Sequence, residues 1–280
     1  MVNVIDFDRR WIFLGMGLLV VGLYVLGARS AAPDNEYVDT YYDTIEALPA
    51  NSIVMLSADF DPGSKAELLP MYQATIHHLM RKDIRIVNVA TWPAGPPYTR
   101  TEFGRIPQQY GKVYGTDWIE LGFLPGDDVA MAQIGNSIKS TFPSDDKRGD
   151  PVDSFEIMND VGDKFGGISL LITMSAGYPG ILEWLAQAGG RYDVAILAGT
   201  TAVQTSDLYA FYPSQLSGFI GGATGATRYL EMVGEETADL HPVRDDNQTR
   251  MMIQEWAHMF IVLLIIVGNV LYFAGRGKTA

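Results

Sequence analysis

Two apolar stretches without Asp, Glu, Lys or Arg stand near the two ends of this chain: WIFLGMGLLVVGLYVLGA at 11–28 and WAHMFIVLLIIVGNVLYF at 256–273. Each approaches the roughly 20 residues that carry a helix across the hydrocarbon of a bilayer. Backbone groups find no partner in hydrocarbon, so a spanning segment of this length has to be helical. Trp11, Trp256 and Tyr272 fall where aromatic rings settle at a membrane interface. Both stretches are therefore expected to be transmembrane helices, with everything between them folding as a water-facing body. Arg9 and Arg10 before the first stretch, and Ala-Arg-Ser-Ala-Ala after it, also suit a signal peptide. Its apolar region exceeds the ~7 to 15 residues of a signal, so it is read as an uncleaved anchor.

Lysine and arginine near the spans set orientation. Arg9, Arg10, Arg276 and Lys278 flank the outer ends, and Arg29, Arg244 and Arg250 the inner ones. This bias points to a plasma-membrane protein with both termini, 1–10 and 274–280, in the cytoplasm and the middle of the chain outside it. The net charge is -13; the 20 bases less Arg9, Arg10, Arg29, Arg276 and Lys278, set against 33 acids less Asp6 and Asp8, leave 15 against 31 between the spans. Such a surface is repelled by anionic headgroups and lacks the basic patch that nucleic acid requires. With no cysteine in 280 residues, thiol nucleophiles, disulfides and thiolate-bound metals are excluded.

From about residue 52 onward, short apolar runs rich in branched residues alternate with longer amphipathic stretches. The runs begin at 52 (SIVMLSADF), 84 (IRIVNVATW), 117 (DWIELGFL), 167 (GISLLITMS), 192 (YDVAILAGT) and 216 (LSGFIGGAT). Continuous hydrophobicity over so few residues suits strands covered on both faces, as in a parallel sheet. Strands separated by helix-length crossovers predict an α/β fold over 52–233, a Rossmann-like or flavodoxin-like mostly parallel sheet flanked by the two membrane helices. Segments 29–51 and 234–255 connect it to the spans. The first contains an acidic, Tyr-rich helix, VDTYYDTIEAL, and the second is expected to be polar and extended. FPSDDKRGDPVDS at 142–154 reads as a surface loop. Within the spans, Gly15, Gly17 and Gly22 would permit close helix approach, and Gly268 with Asn269 would pair across helices.

Ligands in open α/β sheets bind at the carboxyl ends of the strands. Here those ends carry glycine beside Ser, Thr or Asp, which nominates Ser175, Gly177, Thr200, Thr201, Gly222, Thr224 and Gly225 as ligand-binding residues. IGGATGATRYLE offers backbone amides to an anion, but it lacks the dinucleotide fingerprint and reads first as a tight strand-to-helix turn. Ser175 lacks the G-x-S-x-G frame of a nucleophile elbow, and His77, His78, His241 and His258 show neither triad nor metal spacing. Trp92 with Tyr98, and Tyr209 with Phe211 and Tyr212, would line a ligand or subunit surface, or simply cover the sheet edge.

The first run ends in Asp59-Phe60-Asp61, which resembles the opening motif of the haloacid dehalogenase superfamily. That resemblance implies a phosphate-attacking Asp, an acid or base Asp and a magnesium ion, with Asp59 and Asp61 as catalytic and metal candidates. It covers three residues, and the fourth and fifth runs end in TMSAGYPG and AGTTAV, without the acidic pair of that family. The alternative is local: Asp61 before Pro62 suits a helix N-cap, with Glu67 favourable in the first turn. More broadly, LSADFDPGSKAELLPMYQATIHHLMRKDIRIV, YGTDWIELGF, SAGYPGILEWLAQAGGRYDVAI and GFIGGATGATRYLE resemble an uncharacterised prokaryotic family of membrane-anchored α/β proteins with no assigned activity.

Three functions remain open. The leading one is a non-catalytic subunit of a membrane-bound assembly, in contact with the lipid bilayer and with copies of itself or other membrane-complex subunits. The second is a small-ligand receptor, and the third a metal-dependent phosphohydrolase using Asp59 and Asp61. No cofactor is expected beyond magnesium in the hydrolase reading, and no nucleic acid partner.

Overall fold

The computed structural model describes residues 8–162 and 164–276, so residues 1–7 and 277–280 of the two expected cytoplasmic termini lie outside the description. The elements in chain order are α1 (Arg9–Val25), α2 (Glu36–Glu46), β1 (Ile53–Asp59), α3 (Lys65–Arg81), β2 (Arg85–Ala90), α4 (Gly95–Phe103), α5 (Ile106–Gln109), β3 (Trp118–Phe123), α6 (Asp127–Asn136), α7 (Ile138–Thr141), α8 (Glu156–Val161), β4 (Ile168–Ser175), α9 (Ile181–Trp184), α10 (Gly190–Tyr192), β5 (Ile196–Thr200), α11 (Thr205–Leu208), β6 (Gly218–Gly221), α12 (Gly222–Val233) and α13 (His241–Arg276). They form two units, one of residues 33–241 and one combining the chain up to Ala32 with the chain from Pro242.

All six apolar runs are strands, and they form one parallel sheet in the order β3-β2-β1-β4-β5-β6. Parallel neighbours need a crossover, and helices supply it on both faces. Alternate β1 residues divide the core. Val54, Leu56 and Ala58 pack with α2, α3 and α12, while Ile53 and Met55 pack with α6, α8 and α9. This two-sided burial is why the strands read as unbroken hydrophobic runs rather than alternating ones.

The strand order reverses between β1 and β4, where the chain crosses from one face to the other. Both outer strands have company. Asp146 N donates to Glu120 O of β3 at 2.8 Å, from a loop closed by a Ser144–Pro151 bridge. At β6, Tyr37 of α2 stacks on Phe219 with 4.6 Å between centroids while Tyr41 enters the opposite core. Helix α2 thus straddles the sheet edge.

The other unit is helical. Among the described residues, one helical run, Gly222–Phe273, which starts in the first unit and continues into this one, is long and apolar enough to cross a membrane. α1 is apolar and unburied, but its 17 residues end at Val25 rather than at residue 28. At a rise of ~1.5 Å per residue it spans about 26 Å, short of the ~30 Å hydrocarbon core. A Schellman motif stops it: Gly27 adopts φ +61°, its N–H reaches Tyr24 O, and Ala28 N reaches Leu23 O. Within this unit a Cβ at Gly15 would lie 3.3 Å from Phe260 Cζ, so Gly15 is a close-approach position; Gly17, Gly22 and Gly268 face open space. Asn269 donates to Ile265 O of its own helix instead of pairing across.

The expected extended connector at 234–255 is also corrected. A 3₁₀ turn over Gly234–Leu240 leads directly into α13. Pro242 occupies an early helical position where its missing N–H costs nothing, and Arg250 pairs with Asp246 one turn back at 2.7 Å. A polar composition therefore marks a half-buried helix here, not an extended strand.

Candidate functional site

Asp59 closes β1 beside the point where strand order reverses. Its side chain is 0% exposed, yet five hydrogen bonds converge on it. Thr91 N and Thr91 Oγ1 donate to Oδ1, both at 2.7 Å; Ser57 Oγ (2.6 Å), Thr173 Oγ1 (3.2 Å) and Trp184 Nε1 (3.2 Å) donate to Oδ2. Burial pushes its pKa upward, and the hydrogen bonds from Ser57, Thr91 and Trp184 pull against that rise. Each oxygen has one N–H donor that cannot reverse its role. Asp59 therefore ties the end of β1 to β2, β4 and α9, and it could reach a metal or phosphate only by abandoning those donors.

Asp61 belongs to a different structure. It is partly exposed, and its Oδ1 accepts from Ser64 N (3.0 Å) and Ser64 Oγ (2.8 Å) across the Pro62-Gly63 turn. Those bonds hold its pKa below the usual carboxylate range. The expected N-cap lies three residues later: α3 begins after Ser64, since Asp61 bonds its own turn rather than the helix. The two acids of the motif thus do separate work. Among the described residues, no group of three or more His, Cys, Asp or Glu is arranged to hold a metal ion.

The nominated ligand-binding residues also divide. Ser175 is buried at the end of β4, and its hydroxyl is spent on the Gly177 backbone, donating to O at 3.2 Å and accepting from N at 3.4 Å. A Cβ at Gly180 would sit 2.0 Å from Ser175 Oγ, so the loop closes over the serine only because residue 180 is glycine. Thr200 donates to Gln204 Oε1 at 3.1 Å, and Thr201 O accepts from Thr205 Oγ1 at 3.0 Å. Gly222 needs its positive φ of +61° to turn from β6 into α12. A carboxylate of the chain already stands there. Glu67 Oε2 accepts Ala202 N at 2.8 Å and lies 3.1 Å from a Cβ built on Gly222. Gly225 is buried against Ile220 and Val38, while Thr224 is exposed.

What the strand ends do build is a ridge with a cleft on either side. The ridge is Tyr178, 63% exposed. One cleft, of about 220 Å³, is lined by Ser175, Gly177, Leu182, Glu183, Gln204 and Asp207. The other, of about 310 Å³, is lined by Thr91, Trp92, Phe123, Pro125, Asp127 and Pro179. Tyr178 borders both. Trp92 Nε1 donates to Pro179 O at 2.7 Å, so the loops after β2 and β4 are locked together beneath the ridge. Trp92 stood out in the sequence as an aromatic at a strand end. Tyr178, Leu182 and Gln204 did not, because nothing local distinguishes them from covering residues.

Two other polar clusters lie away from these clefts. In β3, Glu120 is 2% exposed and its Oε1 has no hydrogen-bond partner among the described residues; Trp118 Nε1, two residues earlier on the same face, is likewise unpartnered. Burial pushes the Glu120 pKa up to about 7, against a Thr99 hydrogen bond and the nearby Lys147 charge. Near the end of α3, His78 Nε2 lies 2.9 Å from Glu46 Oε1 and Nδ1 lies 2.9 Å from the Tyr229 hydroxyl, contacts that a neutral ring satisfies by donating from Nε2 and accepting at Nδ1. Burial lowers His78 to about 4 despite Glu46. Glu46 is itself brought down to about 2, where hydrogen bonds from Lys82 and His78 overcome its own burial.

The chain matches no family model and no curated protein.

Proposed function

We propose that this chain is a non-catalytic subunit of a membrane-bound assembly. In this reading α1 and α13 both anchor it, and a Rossmann-like domain presents its strand-end rim to a partner. The observation that carries the reading is the exposed Tyr178 ridge standing on an immobilised base. Asp59, Thr91, Trp92 and Trp184 are all spent on holding loops, while Tyr178, Leu182 and Val203 remain exposed. Surfaces of this kind serve recognition, because a preorganised apolar anchor loses little freedom on binding. The strand order β3-β2-β1-β4-β5-β6 is that of doubly wound sheets, which favours the Rossmann-like description over a flavodoxin-like one. The resemblance to membrane-anchored α/β proteins fits the same picture.

The test is gentle detergent extraction followed by native mass measurement. A species heavier than one chain supports the reading, and monomer alone overturns it. Protease accessibility on intact cells tests the proposed orientation, with the domain outside and the termini inside. A small-ligand receptor is the second reading, favoured by the cleft at Thr91, Trp92 and Phe123.

A further inference from the structure

The proposed subunit reading leaves the partner's chemistry open, and resting on that reading we infer that the rim docks a basic, partly apolar segment of a different protein, with Lys or Arg side chains inserted on either side of Tyr178. Three observations converge on that occupant.

The first is charge. Glu183 and Asp207 line one cleft and Asp127 lines the other, while Asp128 Oδ1 accepts the Tyr178 hydroxyl at 3.4 Å; among the described residues no Lys, Arg or His lines either cleft. A cation arriving there meets carboxylates and the face of an exposed ring, and both attract it. The second is shape. The clefts, at about 220 and 310 Å³, are at or below the low end of the ~300 to 1,000 Å³ typical of small-molecule sites, and each suits one side chain. Leu182 (46% exposed) at the wall of the first cleft and Val203 (86% exposed), which lines neither cleft, add apolar surface to the rim, as an extended segment requires and a free amine does not. The third concerns self-association. Arg81, Arg85, Arg100, Arg105, Arg228 and Arg250 each already face a carboxylate of this chain. A second copy carries the same net charge of -13 and is repelled by an acidic rim, so a different, basic protein is the better donor.

The experiment uses the full chain in detergent micelles and three probes: a fluorescent octapeptide alternating Lys and Leu, its Glu-Leu counterpart, and spermine as a competitor. The Lys-Leu peptide is expected to bind at least tenfold more tightly than the Glu-Leu peptide, with an affinity that falls as salt rises. Tyr178→Ala and the double variant Asp127→Asn/Asp207→Asn are each expected to weaken it at least fivefold. Leu216→Ala, in the core away from the rim, controls for loss of folding. Equal binding of the two peptides, no binding of either, or full displacement by spermine at matched charge each overturns the inference. The subunit reading fails separately: a wild-type chain extracted only as monomer sinks it, whereas an assembly that survives intact in the Tyr178→Ala chain sinks only the rim.

Discussion

The end of β1 and the middle of β3 each bury a carboxylic acid, and the sheet treats the two in opposite ways. Asp59 collects five donors from four elements, whereas Glu120, equally removed from water, has an oxygen with none. The difference lies in where a strand offers hydrogen bonds. At its carboxyl end the ladder stops, and loop amides and hydroxyls such as Thr91 are free to turn inward. In mid-strand the backbone is committed to its neighbours; the residue in register is Asn88, whose Oδ1 already accepts the Tyr72 hydroxyl, and Thr99 alone offers Glu120 a side-chain hydrogen bond among the described residues. An acid there lowers its cost by keeping its proton, which is what the rise to about 7 expresses.

The largest test removes the richer of the two arrangements. Asp59→Ala orphans Thr91 N and Trp184 Nε1 in a dry core and is expected to cost about 4 kcal/mol in denaturant unfolding of the extracted chain. Asp59→Asn, which turns an amide against one of those N–H donors, should recover only part of that. If Asp59→Asn is as stable as wild type, the donors do not matter and the comparison collapses.

Glu120→Gln should do the reverse. Its folded pKa lies above the ordinary carboxylate value, so the folded state holds the extra proton between about pH 4.5 and 7. The contribution is full below about 4.5 and lost as pH rises through 7. Glutamine escapes that loss, so the variant is expected to gain up to about 3 kcal/mol over wild type at pH 8 and nothing at pH 4. A gain that does not depend on pH would mean that ionisation is not the cause.

His78 sharpens the contrast from the basic side. Its folded pKa of about 4 lies below the ordinary value, so the folded state prefers the neutral ring. Its contribution is present above about pH 6.5 and is lost as pH falls through 4, by up to about 3 kcal/mol. NMR titration of the ring should find it neutral at pH 6. Thr173→Val, which removes one 3.2 Å bond to Asp59, should cost only about 1 kcal/mol. The smallest expected effect is none: magnesium with phosphate should leave the melting temperature unchanged, and a rise abolished by Asp59→Asn would return Asp59 to chemistry.

The sheet was legible in the sequence because double burial leaves a plain signature, an unbroken branched run, and each of the six runs became a strand. Helix boundaries were less so. Asp61-Pro62 looks like a cap, yet α3 starts only after Ser64, whose hydroxyl turns back to Asp61 instead of capping the helix, since the two readings differ only in which amide the carboxylate meets. α13 begins earlier than hydropathy suggests, with Arg250 paired to Asp246 one turn back along a half-buried polar helix, and polarity alone cannot separate that from a loop. The surroundings of Asp59 were beyond reach, as Thr91, Thr173 and Trp184 lie 32, 114 and 125 residues away. Glu120 was visible as an acid inside an apolar run, but only the register with Asn88 shows how little it is offered.

The loop that donates Asp146 N to β3, and the helix α2 that straddles β6, bear on how molecules of this kind share space. An open parallel sheet has two frayed margins, and a bare margin is a template on which another molecule's strand can add, then another's, until a fibre grows. Here one margin is fenced by a loop carrying Asp145, Asp146, Lys147 and Arg148, and the other by a helix with Glu36, Asp39 and Asp43 in its sequence. Shortening the loop between Ser144 and Pro151 should therefore show itself first as insolubility in concentrated samples, well before any change in melting temperature.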